Sequence, residues 1–283
     1  MSLRYQGGYA IPSGATPPPV VDYLVVAGGA GGFNGSQYYS SPGGAAGGVF
    51  LGNGYPTTPG TAIVITIGSG GAGATVYPAS PTAGSNSSLG GIVTTGGSVT
   101  GSYLSGNGNG IAYSANYGGA GGGGATSPGG WPVGGDTSNV NGSSQSASGG
   151  GCGAMTPITG TAVGYGGGGG GGFNGYQVNF YRGFGSAGGG NADPKSYAYG
   201  IRHSRGAGSS SAKSNTGGGG GGGASDGNAN ATVGPAGNGG SGVVVLRYPS
   251  VYAPASAVTG SPTTYVYQNQ RVYIFNASGS ITF

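Results

Sequence analysis

The chain has very little charge and almost no cysteine or histidine. Of its 283 residues, eight are Lys or Arg, four are Asp and none is Glu, which gives a net charge of +4. This basic excess is too thin for a nucleic-acid groove, which needs a dense basic stripe. The only cysteine, Cys152, excludes an intrachain disulfide and any cysteine framework.

Export signals and membrane spans are also missing from the sequence. The first residues lack the apolar core of a secretory signal, and no stretch approaches the roughly 20 apolar residues of a membrane span. We therefore expect no signal peptide and no membrane insertion. Cell lysis or assembly into a particle would then account for a location outside the cell.

The chain contains few residues that could act in catalysis. The only histidine, His203, lies among arginines without a neighbouring acid, and no spacing of ligands suggests a metal site. A glycosidase needs two carboxyl groups roughly 5–10 Å apart, and the chain offers four scattered aspartates. We predict no enzyme, no catalytic residue, no metal and no cofactor; a polysaccharide depolymerase that uses two aspartates remains an alternative.

Glycine dominates what is present. Seventy-six glycines fall in blocks, of which residues 166–172 and 217–223 are unbroken runs of seven, and 27–32 and 121–124 are shorter versions. Each glycine loses about 0.5–1 kcal/mol more on ordering than alanine does. No Gly-X-Y repeat supports collagen, and 28 aromatic residues with 4% charge do not suit a disordered chain. We therefore expect a folded protein.

The glycine runs can form polyproline-II-like helices, which have three residues per turn and about 3.1 Å rise per residue. Such helices have no internal hydrogen bonds, so they must pack side by side and bond to one another. We predict a packed lattice of polyglycine-II helices; flexible linkers are the alternative.

Strand signals lie at both ends of the chain. β-Branched and aromatic runs predict strands at residues 21–26, 61–67, 243–248, 265–268, 271–275 and 280–283. The run 243–248 is the most hydrophobic and is predicted to be central. Turns are expected at 269–270 and 276–279. This pattern predicts an all-β scaffold with glycine-rich excursions and essentially no α-helix.

Several segments, taken in order, resemble the glycine-rich domains of phage tail fibres and tail-tip adhesins. They are 23–29 (YLVVAGG), 63–71 (IVITIGSGG), 84–88 (GSNSS), 239–248 (GGSGVVVLRY), 273–275 (YIF) and 278–283 (SGSITF). The resemblance covers about residues 20–283. It implies a receptor-binding virion protein whose tip loops touch the bacterial surface.

A second resemblance concerns architecture alone. The glycine-rich region of the anaplastic lymphoma kinase receptor family is similar, with polyglycine helices beside a jelly-roll-like antiparallel β-sandwich. Because the disulfides of a secreted receptor are missing here, the cytokine binding of that family is not carried over.

A short motif that occurs twice in the sequence indicates where variable loops are expected. Residues 31–37 (GGFNGSQ) recur as 171–177 (GGFNGYQ), each after a glycine block. We interpret both copies as turns at one end of the lattice; a simple Asn-Gly cap of each run is a compatible alternative.

The segment after the second copy is the predicted binding region. Residues 176–213 hold five of the eight basic residues, and Tyr and Arg are the residue types that anchor interfaces. The predicted receptor-binding residues are Tyr176, Phe180, Tyr181, Arg182, Phe184, Tyr197, Tyr199, Arg202 and Arg205, with Phe33, Tyr38, Tyr39 and Trp131 in other loops. The alternative is that these rings fill the sandwich edge and the charges maintain solubility.

The domain prediction is an extended attachment arm at residues 1–20 and a single domain at 21–283. The arm is expected to dock on another virion or fibre protein or on sister subunits, and a homo-oligomer such as a trimer is compatible with the sequence. The resemblance implies that the partner is a bacterial surface polysaccharide or outer-membrane protein. A structural virion or filament subunit without receptor binding is the main alternative.

Overall fold

The computed structural model describes residues 3–6, 9–12, 15–34, 41–75, 79–99, 121–125, 145–146, 149–172, 180–181, 183–192, 209–223 and 235–283. Within these ranges the chain is all-β and contains no helix. Two large sheets are each five-stranded, and their neighbouring strands are antiparallel throughout. These findings confirm the predicted all-β, antiparallel fold class.

Sheet one contains the most deeply buried strands. In spatial order its members are β14 (Thr263–Tyr267), β15 (Gln270–Phe275), β12 (Val243–Pro249), β3 (Val20–Val26) and β4 (Val49–Pro56). The hydrophobic run predicted to be central is β12, the middle strand, so that prediction is confirmed.

Sheet two has shorter strands and an exposed outer face. In spatial order its strands are β13 (Ala257–Val258), β16 (Gly279–Thr282), β5 (Ala62–Thr66), β6 (Ser87–Leu89) and β7 (Ile92–Thr94). In β5, Ile63 and Ile65 are buried while Val64 is 62% exposed, the alternation of a strand with one face in the core.

Six further strands form three two-stranded pairs. They are β1 (Leu3–Gln6) with β2 (Tyr9–Pro12), β9 (Ala154–Thr156) with β10 (Val163–Tyr165), and the parallel pair β8 (Gln145–Ser146) with β11 (Phe180–Tyr181). The first pair is a hairpin inside the predicted arm.

The main core lies between the two sheets. Sheet one contributes Val25, Leu246 and Phe275, and sheet two contributes Leu89 and Ile281, all of them fully buried. This interdigitation of two inner faces is the core of a β-sandwich.

The other face of sheet one is also covered. Leu24, Val245 and Val272 pack there against Ile158 and Tyr165, which belong to the β9–β10 hairpin and its turn. Because sheet one is buried on both faces, β12 reads as a continuous apolar run rather than as an alternation.

All six predicted strands are present, with boundaries that differ by at most two residues. The turn between β14 and β15 is centred on Gln268 and Asn269, which have φ of 46° and 61°, one residue before the predicted position. Two consecutive residues with positive φ are the requirement of a tight two-residue hairpin.

Buried tyrosines make the fold sensitive to alkali. Burial raises the pKa of Tyr248 far above its usual value, and it also raises the pKa values of Tyr165 and Tyr265. A phenol that stays protonated in the folded state, but ionises near pH 10 when unfolded, stabilises the fold below pH 10 and loses that contribution as pH rises.

We therefore expect the free energy of unfolding to fall above pH 10, by up to about 1.4 kcal/mol per pH unit for Tyr248 alone. Urea denaturation between pH 8 and 11.5 measures it. Tyr248→Phe should reduce the slope, and a flat profile for the wild-type protein would contradict this prediction.

Candidate functional site

Glycine-rich segments pack side by side at one end of the sandwich, and we call them together the lattice. The lattice comprises residues 27–34, 41–48, 68–75, 79–86, 95–97, 121–125, 149–153, 166–172, 183–192, 209–223 and 235–242. These segments are neither helix nor strand, and their backbone groups bond to one another across large sequence separations.

The hydrogen bonds of the lattice repeat every three residues. In the first segment, the N–H groups of Ala27, Ala30 and Phe33 donate to the carbonyls of Gly48, Ala45 and Pro42. Those of Gly28 and Gly31 donate to Ser85 and Thr82, and those of Gly29 and Gly32 donate to Gly240 and Gly237. Each third residue therefore bonds the same neighbouring segment, as expected for a backbone with three residues per turn.

The run 217–223 has neighbours on every side. Its N–H groups donate into segments 166–172, 27–34 and 209–213, as in Gly219 to Gly167, Gly220 to Ala30 and Gly221 to Ser210. Its carbonyls accept from segments 41–48, 183–192 and 235–242, as in Gly44 to Gly220, Gly190 to Gly219 and Gly237 to Gly221. Six surrounding segments therefore satisfy the backbone of one run that has no side chains.

Close approach explains why these runs contain only glycine. A Cβ atom at any of residues 167–170 or 218–222 would overlap a backbone carbonyl of an adjacent segment. Both runs also begin with a left-handed residue, since Gly166 and Gly217 have φ of 65° and 66°. These two glycines redirect the chain from the preceding strand or turn into the lattice.

One end of the lattice is continuous with the sandwich. The strands β3 and β10 lead directly into Ala27 and Gly166, and Gly48 and Gly242 lead back into β4 and β12. Two turns also reverse the chain at this end, one at Ala187 and Gly188 and the other around Asn215, all with positive φ.

The opposite end, which we call the distal end, gathers the described residues that flank several segments outside the described ranges. It comprises residues 33–34, 41–42, 75, 79, 172, 183, 192, 209, 223 and 235. Its backbone bonds join Gly223 N–H to Phe33 O (3.0 Å), Gly172 N–H to Ser41 O (2.6 Å), Ala192 N–H to Gly183 O (3.1 Å) and Ser209 N–H to Pro235 O (3.1 Å). The amide of Asn34 adds a bond from Nδ2 to Thr75 O (3.2 Å).

At five places the chain therefore reaches the distal end through one lattice segment and leaves it through the next. The segments 34–41, 75–79, 172–183, 192–209 and 223–235 each begin and end at the distal end. The described residues of both GGFNG copies, 31–34 and 171–172, lie at this same end.

Most predicted receptor-binding residues lie outside the described residues: Tyr38, Tyr39, Trp131, Tyr176, Arg182, Tyr197, Tyr199, Arg202 and Arg205. Phe180 and Tyr181 form strand β11, of which the backbone alone is described. Phe33 is half-buried at the distal end, and Phe184 is 58% exposed close to it.

The flanking residues divide these predictions into two groups. Apart from Trp131, all of them lie in or beside segments 34–41, 172–183 and 192–209, whose flanks meet at the distal end. Trp131 follows Ala125, whose N–H donates to Gly166 O at the sandwich end. Its segment therefore leaves the lattice at a different place from the others.

Sequence reasoning did not select the segments 75–79 and 223–235, although both begin and end at the distal end. Each follows a glycine-rich block, as the selected segments do, and this was the signal available in the sequence. It also did not single out Asn34, which is 8% exposed and whose Oδ1 has no hydrogen-bond partner among the described residues.

Most of the charged residues fall outside the described ranges of the sequence. The described charged side chains are Asp22, Lys213, Arg247 and Arg271, and Asp22 pairs with Arg247 at 3.1 Å. Seven of the twelve charged residues lie outside the described ranges: Asp136, Arg182, Asp193, Lys195, Arg202, Arg205 and Asp226. All of these except Asp136 fall in segments that begin and end at the distal end.

The described residues contain no group of three or more His, Cys, Asp or Glu side chains that could hold a metal ion. Nor do they include a helix with the length and hydropathy needed to cross a membrane.

Comparison with known families gives one result. The sequence profile of a family described as a glycine-rich domain matches residues 5–249, which includes the lattice and most of sheet one. Comparison with curated proteins and with solved structures gives no match.

Proposed function

This chain belongs to the glycine-rich domain family, and from that premise we propose that it is a phage tail-fibre or tail-tip adhesin that recognises a bacterial surface receptor. The observation that supports this proposal is the convergence of five loop-bearing segments at the distal end. Such an arrangement suits recognition, because binding residues are commonly carried on loops that a rigid scaffold positions.

The two ends of the molecule support different roles. The N-terminal segment meets the sandwich at the end away from the lattice, where Ala253 N–H donates to Thr16 O and Thr57 N–H donates to Pro19 O. The seven residues of β3 and the seven of a glycine run together separate this base from the distal end by roughly 40 Å. An arm at the base can attach to another virion protein while the distal loops face a cell.

We further propose that the lattice is a bundle of polyglycine-II helices. Its support is the three-residue repeat of hydrogen bonds and the six neighbours of the run 217–223. Backbone bonds between segments hold such a bundle without any side chain, so loop sequences can vary while the scaffold stays the same.

The proposed ligand is a surface polysaccharide or an outer-membrane protein loop. The distal segments combine tyrosine with a net basic charge, and guanidinium groups bind carboxylate or phosphate in bidentate geometry. Tyrosine supplies a flat apolar ring with a hydrogen-bonding hydroxyl, which suits sugar and protein surfaces alike.

Cell binding by the purified protein tests the proposal. We expect the wild-type protein to bind susceptible cells, and the double variant Tyr181→Ala/Arg182→Ala to bind at least about 30-fold more weakly, because the loss of a single anchor residue already costs about 2 kcal/mol or more. Flow cytometry with labelled protein measures the apparent affinity.

A matched control removes one tyrosine and one basic residue elsewhere. Tyr267, the last residue of β14, is 43% exposed at the base, and Lys213 is exposed at the sandwich end of the lattice. Tyr267→Ala/Lys213→Ala should bind cells as the wild-type protein does. Equal binding by both double variants would show that residues 181 and 182 are not part of the receptor site.

A structural subunit is the second candidate, and the edge strand β4 favours it. Phe50 and Leu51 on this eight-residue strand are 48% and 53% exposed. Among the described residues β4 has no further strand beside it, and such an edge can pair with another chain. Under this alternative the purified protein forms filaments or closed oligomers by electron microscopy and does not bind cells.

A further inference from the structure

Arg271 is a buried cation at the base of the sandwich. It lies near the start of β15, opposite Tyr248 on one side and Val266 on the other, and it is 6% exposed. By strand alternation its side chain shares the inner face of sheet one with Tyr273 and Phe275, which belong to the main core.

The guanidinium of Arg271 has no counter-ion among the described residues. Its Nε atom is buried without a hydrogen-bond partner. Arg247 also has a buried, unpartnered Nε atom, but it forms the described ion pair through its Nη2 atom with Asp22. These two residues lie on the other face of sheet one, since they alternate with Leu246 and Tyr23 of the main core. They therefore cannot neutralise Arg271.

The neighbouring hydroxyl groups do not supply a negative charge either. Tyr248 Oη lies 3.2 Å from Ala253 O and 3.4 Å from Tyr273 Oη, and Tyr273 Oη accepts from Ala255 N–H at 3.0 Å. Burial keeps the Tyr248 phenol neutral, because it raises its pKa. A buried cation without a partner costs several kcal/mol, so this arrangement favours an anion that comes from outside the described residues.

We propose that Arg271 binds a carboxylate group of a protein that docks on the base of the sandwich. This inference rests on the proposed attachment of the base to another virion protein. Residues 1–21 contain no acid, so the arm of the same chain does not supply the carboxylate. Asp136, Asp193 and Asp226 belong to segments whose described flanks lie in the lattice and not at the base. One guanidinium matches the single charge and the two oxygens of a carboxylate, whereas a phosphate dianion calls for a second cation.

Acetate is the probe for this site, with chloride at equal ionic strength as reference. We expect acetate at about ten times its Kd to raise the Tm of the full chain by about 3 °C over chloride. The Nε–H signal of Arg271 in a nitrogen–proton NMR spectrum should shift with the same midpoint.

Two variants and one control make the result specific. Arg271→Met should fold with an equal or higher Tm in chloride and should lose the acetate-specific rise. Arg271→Lys keeps the charge without the planar fork, and its acetate-specific rise should be less than half that of the wild-type protein. Arg247→Met, which removes the paired arginine, should keep the full rise.

The proposal is overturned if acetate gives the wild-type protein no rise, or gives Arg271→Met or Arg271→Lys the full rise. A larger effect of inorganic phosphate than of acetate would overturn the carboxylate assignment. Cell binding is measured separately on Arg271→Met and should remain at the wild-type level. A failure of receptor binding by every variant is therefore distinguishable from a failure of the anion site.

Discussion

Alanine at Gly219 is expected to lower the free energy of unfolding by more than about 3 kcal/mol, or to prevent folding altogether. The added Cβ would overlap the carbonyl of Gly44, which lies in a segment held by its own bond from Gly44 N–H to Gly220 O. Neither group is the end of a flexible side chain, so two segments of the lattice must separate. Thermal and urea denaturation of the purified variant measure the loss.

Two other glycines separate this steric effect from the ordinary cost of replacing glycine. Gly60 has φ of 75° with open space around its Cβ position, so Gly60→Ala should cost only about 1–2 kcal/mol for the left-handed backbone. Gly91 has open space and no positive φ, so Gly91→Ala should be neutral or slightly stabilising. If Gly219→Ala were as well tolerated as Gly91→Ala, the packed lattice would be wrong.

The strands that could be predicted are those whose apolar side chains form a continuous or alternating pattern along the sequence. In β12 and β15 the apolar residues are continuous or alternating, and both strands were predicted. The edge strand β4 was not predicted, because it contains Gly52, Gly54 and Pro56. Tertiary context explains one of them: the ring of Tyr23 occupies the space that a side chain at Gly52 would need.

The sequence predicts that the glycine runs pack side by side, but it does not predict which segments are neighbours. Gly29 bonds Gly240, and Gly169 bonds Gly44, across more than a hundred residues in each case. Glycine has no side chain, so nothing in a glycine run encodes which neighbour it meets. The strands and turns at both ends of each segment fix that choice.

Which stretches of the chain meet at the distal end depends on the direction in which each successive lattice segment runs, and the sequence does not show that direction. A stretch of chain begins and ends there when one lattice segment runs toward the distal end and the next runs back from it. The short turns at Ala187–Gly188 and around Asn215 lie at the sandwich end, so the lattice segments that follow them run toward the distal end again. The sequence alone therefore does not show that the segment of Trp131 follows Ala125 at the sandwich end, whereas the segments of the other candidate residues begin at the distal end.

Replacing residues 193–208 by Gly-Ser-Gly-Ser is expected to weaken cell binding by more than about 100-fold while the fold remains intact. The change removes Tyr197, Tyr199, Arg202 and Arg205 together, and two anchor residues alone account for a loss of this size. The flanks are already adjacent, since Ser210 N–H donates to Asn191 O at 3.0 Å, so a four-residue connection closes without strain. Flow cytometry measures binding, and thermal denaturation confirms folding.

The segment 224–234 provides the matched control for this replacement. It also begins and ends at the distal end, has eleven residues and contains no aromatic or basic side chain. The same linker there shortens a neighbouring loop without removing an anchor, so binding should stay within about threefold of the wild-type level. Equal losses from both replacements would mean that loop length, and not the tyrosines and arginines of 193–208, determines binding. Undiminished binding after the first replacement would remove this segment from the receptor site altogether.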